Sequence, residues 1–164
     1  MDALIDWLYG GWVSHLMNDY RWTWPIAESV HFTGLILLAG TVGAFDLRLL
    51  GLGKGIRPAD LHRGLKFGVA GFGLMVITGL LFISGAPDQY FYNSSFHLKV
   101  ISLAVMGSNV ALFYRFEFRT VKAMGPDDDA PRNARIMAGV SLFALVAVML
   151  FGRMLTFFRP AYVY

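Results

Sequence analysis

Glu28 and His31 stand three residues apart in a stretch, from Trp24 to Gly51, that is otherwise built for lipid. On a helix that spacing puts the carboxylate and the imidazole on one side. An ionisable group inside a bilayer costs roughly 2.5 to 3.5 kcal/mol on insertion scales, so something is expected to be bound or paired at His31. Aligning ESVHFTGLILLAG with SSFHLKVISLAVMG places His97 on His31. Two imidazoles on different helices at one depth are what bis-His ligation of a haem b requires, one axial nitrogen from each side of the ring. His31 and His97 are therefore the candidate ligands, with another metal or proton site, or two histidines that only fix packing, as the alternatives.

Further residues belong to the same expectation. Arg153, in LFGRMLTFF, falls at a depth close to that of Glu28, where it would meet a haem propionate, pair with Glu28 or snorkel to the interface. Glu28 would orient a ligating imidazole or favour the first helical turn electrostatically. Gly34 and Gly79 leave room for a flat cofactor or for a second helix. Met154 is the one methionine near enough in depth to serve as another axial ligand. A di-iron reading of Glu-x-x-His lacks a second copy of the motif.

The elements that must position these groups are membrane helices. Over the 164 residues the mean hydropathy is +0.54, with 56% hydrophobic and 15% charged residues, a composition of integral membrane proteins. Of the fourteen Lys and Arg, five (Arg48, Lys54, Arg57, Arg63, Lys66) flank one connection and five (Arg115, Arg119, Lys122, Arg132, Arg135) flank another. The basic balance thus reports topology, and no nucleic-acid partner is expected. Only Arg21, Lys99, Arg153 and Arg159 lie elsewhere, so both termini are expected outside, in the periplasm of a bacterial inner membrane. With no cysteine, a haem would have to be held non-covalently. The first residues lack the basic start and cleavage site of a signal peptide, and insertion is expected to use the first span.

The pattern predicts an all-α membrane protein, a four-transmembrane-helix bundle of one domain over 1–164. An interfacial amphipathic helix covers about 3–20, and spans cover about 25–50, 61–85, 96–119 and 133–158. Gly-Pro-rich links and the caps Asn93, Ser94 and Ser95 separate them. The matched His31 and His97 segments raise a tandem repeat of two helix hairpins, against chance similarity as the alternative. Asp46 and Arg48 are expected in a charge network with Arg63 or Lys66. His62 and His15 read as exposed residues.

Trp24-Pro25-x-x-Glu28-x-x-His31-x-x-Gly34 followed by Asp46-Leu47-Arg48-Leu49-x-Gly51 resembles a family of small uncharacterised bacterial four-helix inner-membrane proteins over nearly the whole chain. The architecture and the His pair are also similar to four-helix b-type cytochrome membrane subunits. That second resemblance implies one haem b at most, since diheme members use four histidines, together with a quinone as a further candidate cofactor. The function expected is electron transfer between a periplasmic redox partner and the quinone pool. The alternative is a non-redox anchor or accessory subunit of a larger membrane complex.

Overall fold

The computed structural model, which describes residues 2–158, is built from eight helices. Two short ones, α1 (Asp2–Tyr9) and α2 (Trp12–Asp19), are split at Gly10-Gly11. Four long ones follow: α3 (Thr23–Leu49), α4 (Pro58–Gly85), α6 (Ser94–Phe116) and α8 (Arg132–Met154). Between them lie α5 (Pro87–Phe91) and α7 (Phe118–Lys122). The four long helices are each apolar and long enough to cross a membrane, so the protein is a multi-pass, all-α membrane protein in a lipid bilayer. Arg159 lies outside the described residues.

Local sequence explains each boundary. Pro58 opens α4 at a position that needs no N–H donor. The link before it turns through Gly51, Gly53 and Gly55, whose φ values of 98°, 71° and 98° disfavour any side chain. Asn93 accepts the Ser95 N–H at the start of α6 and donates from its amide to the carbonyls of Leu155 and Phe158, at 3.2 and 2.6 Å. One buried side chain therefore caps two helix ends. The third span is shorter than expected: α6 stops at Phe116, and after Glu117 the chain bends into α7 so that Val121 enters the core. The fourth span likewise ends at Met154.

The segment expected as one interfacial helix over 3–20 docks in part on the bundle. Met17 is fully buried against Ala27 and Phe82, and Asn18 donates to the Gly85 carbonyl at 2.9 Å, while Trp7 and Trp12 stay exposed. We call the end carrying α1, α2 and α5 the upper end.

Helices α3 and α4 form one antiparallel pair and α6 and α8 the other, and the pairs join chiefly through α3 and α8. Small residues let α3 and α4 approach closely, as packing in lipid demands. A Cβ at Gly34 would lie 2.5 Å from the Gly71 carbonyl oxygen, and one at Gly71 would lie 2.5 Å from that of Gly34. No comparable seam joins α4 to α6, and a cleft runs between them along the bundle.

At the lower end Arg48 is 1% exposed and ties the two links together. Its Nε donates to the Ile56 carbonyl at 2.8 Å, and one terminal nitrogen donates to the carbonyls of Pro126 at 2.6 Å, Asp128 at 3.2 Å and Gly125 at 3.4 Å. The charge network expected for Asp46 and Arg48 with Arg63 or Lys66 is therefore replaced: Arg48 serves loop carbonyls, and Arg63 pairs with Asp60.

Candidate functional site

The upper part of the cleft is a cavity of about 450 Å³, within the range of small-molecule and cofactor sites. Glu28 and His31 enter it from α3, Gly79 from α4, Lys99 from α6, Arg153 from α8 and Tyr90 from α5. Phe72, Val76, Leu80 and Val100 line it and are also exposed on the outer surface, so it opens sideways toward lipid.

His31 is held in a defined tautomer. Thr78 on α4 is buried, and its hydroxyl donates to the Leu74 carbonyl at 2.7 Å. That proton is spent, so the 2.7 Å contact between His31 Nδ1 and Thr78 Oγ1 is an N–H donated by the imidazole. Nε2 is left as the lone-pair nitrogen of a ring lining the cavity. Phe82 packs against the ring, centroids 5.5 Å apart, and Trp24 stacks on Phe82. Anchoring one ring N–H while presenting the other nitrogen is how proteins prepare a histidine for a metal.

Two cations face this nitrogen's cavity. Lys99 is half-buried and has neither a carboxylate partner nor a hydrogen bond among the described residues. Gly152 makes space for it: a Cβ there would sit 3.6 Å from Lys99 Nζ. Arg153 is exposed at the rim, with its guanidinium 5.6 Å from the Phe157 ring centre. Glu28 is exposed and lines the same cavity without pairing to Arg153. Burial first, and then the Glu28 carboxylate, pushes the Tyr90 phenol up to about 12, so Tyr90 stays a neutral hydroxyl throughout the physiological range.

The comparisons with known proteins add nothing to this geometry. No protein-family model, curated protein or solved structure matches the chain.

Four of the six residues singled out in the sequence, Glu28, His31, Gly79 and Arg153, meet at the cavity. Two do not. His97 is exposed, beside Phe96, and does not line the cavity, so the structure does not bring the two imidazoles together. The reason is rotation: residues 97 and 99 are about 200° apart on a helix, and α6 turns Lys99 inward. Gly34 is buried in the α3–α4 seam and is a packing residue there. Met154 is exposed away from the cavity, whereas Met75 and Met149 line it. Among the described residues no three His, Cys, Asp or Glu side chains converge, while a di-iron bundle site needs more donors than Glu28 and His31.

Sequence reasoning missed Lys99 and Thr78. A signal for Lys99 existed: it lies inside the third apolar run, far from the two basic connections.

Proposed function

We propose that the protein is an electron-transfer subunit of a bacterial inner membrane that holds one non-covalent haem b in the upper cavity. His31 would hold the iron, and Lys99 and Arg153 would offset the charge of the propionates. The observation that carries this reading is the His31 tautomer: a lone-pair Nε2 on an anchored imidazole, in an apolar cavity whose cations have no anion of their own. The donor set fits a haem with one axial imidazole rather than the two expected from the sequence. When bound, the haem would supply reversible one-electron chemistry. The chain's own residues do the rest. Thr78 fixes the imidazole ring, Lys99 offsets charge inside the cleft, Arg153 does so at the rim, and Tyr90 contributes a neutral hydroxyl.

Basic residues crowd the lower end, which supports a cytoplasmic lower end and periplasmic termini. The cavity would then lie in the outer half of the bilayer, within reach of a periplasmic redox protein or a partner subunit, with the quinone pool at the other end of the electron path. Reporter fusions after Pro58 and Pro126 should be cytoplasmic.

The test is the absorption spectrum of protein purified after haem-replete expression. A reduced-minus-oxidised b-type spectrum is expected, with haem occupancy lowered by Lys99→Met. A colourless protein would overturn the haem reading and favour the non-redox anchor.

A further inference from the structure

The cleft continues below Phe72 and Leu103, which line both parts, into a second cavity of about 270 Å³. Its walls are apolar except for Asp46, Asn109, Ser141 and Tyr114. Val69, Phe72 and Val110 line it and are also 71%, 40% and 43% exposed, which gives this cavity too a mouth toward lipid.

Asp46 is the anomaly. It is 5% exposed, and its Oδ2 has no hydrogen-bond partner among the described residues. No lower-end cation pairs with it among the described residues: Arg48 gives Nε and one terminal nitrogen to loop carbonyls while its Nη1 is itself buried without a partner, Lys54 pairs with Asp129 and Arg63 with Asp60. Among the described residues the Ser141 hydroxyl lies beside it. The other polar wall groups are tied back, Asn109 donating to the Met137 carbonyl at 2.9 Å and the Tyr114 hydroxyl lying 3.0 Å from His62 Nε2. A buried carboxyl oxygen without a partner is costly and calls for a partner that the fold itself does not supply.

We propose that the lower cavity binds a lipid-soluble ring compound with paired carbonyl or hydroxyl oxygens, a quinone or its quinol, entering between α4 and α6 with one ring oxygen at Asp46. The lateral mouth and apolar walls select a molecule already dissolved in the bilayer. The absence of a free cation in this cavity selects a neutral one. A carboxylate accepts a hydrogen bond from a ring hydroxyl, and a carboxylic acid donates one to a ring carbonyl, so a single group matches both members of the pair. The volume admits a ring head, and its substituent chain would run out through the mouth. The choice of a quinone among neutral ring compounds rests on the redox reading; binding at Asp46 does not need the haem.

The experiment titrates the purified full chain in lipid nanodiscs with a decyl-substituted benzoquinone and its quinol, and reads the rise in melting temperature with ligand concentration. Wild type should show a saturable rise. Asp46→Asn should bind about tenfold more weakly. Gly107→Phe should abolish binding: Gly107 lines the cavity, an added Cβ there meets nothing within 4 Å, and the ring would fill the space. His31→Ala should bind as wild type does, and this arm separates the present proposal from the haem reading, because a colourless protein can still pass it. An equal rise with decane would mean that any alkyl chain fills the cavity and would overturn the proposal. So would binding lost in His31→Ala but kept in Gly107→Phe, which would move the quinone to the upper cavity.

Discussion

Arg48 and Lys99 are both basic residues on membrane-crossing helices, and the structure treats them in opposite ways. Arg48 is buried at the lower end with two of its three nitrogens donating to four backbone carbonyls drawn from two loops, and only Nη1 left without a partner among the described residues. Lys99 stands half-buried in the upper cavity with no partner among the described residues. A charge whose hydrogen bonds are mostly met by the fold helps to hold that fold together. A charge left unmet in a cavity costs stability, and its use is to be sought in what binds there. The same contrast separates Asn93, satisfied at both ends of its amide, from Asp46, with one oxygen unmet.

The contrast breaks most visibly at Arg48. Arg48→Ala should lower stability by on the order of 3 kcal/mol, read by denaturant unfolding in detergent, because it empties a fully buried site and removes the donors that tie Ile56 to Gly125, Pro126 and Asp128. Lys99→Met should leave stability unchanged or raised, since a poorly solvated charge becomes a thioether. Equal losses from the two would erase the distinction between a structural and a site cation. Asn93→Ala comes next, at about 2 kcal/mol, for it uncaps α6 and frees the end of α8 together.

The two glycines assigned to the cofactor in the sequence divide the same way. Gly34→Val should cost about 1–3 kcal/mol by wedging α3 off the Gly71 carbonyl. At Gly79 an added Cβ meets nothing within 4 Å, so Gly79→Val should keep the melting temperature and lower haem occupancy. Matching behaviour at both positions would put them in one role.

The smallest effect belongs to the exposed Lys54–Asp129 pair, 2.9 Å apart between the two lower loops. Hydrogen bonding and attraction by Lys54 hold the Asp129 carboxyl below its usual range. Its contribution is therefore present above the unfolded carboxyl value, about 3.9, and fades as pH falls through the lower folded value. Asp129→Asn should make melting temperatures of variant and wild type converge as pH falls below the ordinary carboxyl range and differ slightly at pH 7.

The four spans were legible in the sequence because length, hydropathy, Pro58 and the Asn93 cap carry their own signals. Rotation about the helix axis was not. In a soluble bundle the polar face reports which side is out, but α6 is apolar toward both lipid and protein, so nothing in its periodicity separates the His97 face from the Lys99 face. Similarity to the His31 segment favoured His97. In the structure it is Lys99 that lines the cavity, its stem lying beside Gly152. Glu28, His31 and Arg153 were legible because each is a charged or titratable residue placed near the upper end of an apolar run. Thr78 was not, since a threonine in a membrane helix ordinarily bonds only its own preceding turn, as Thr41 does.

The most direct measurement is the haem-to-protein ratio of wild type, His31→Ala and His97→Ala, purified side by side after haem-replete expression. The expected result is haem in wild type and an unchanged ratio in His97→Ala, with almost none in His31→Ala. Equal loss in both variants would mean that His97 also ligates the iron and that the cavity described here is not the site, and no haem in any of the three would contradict the redox reading altogether.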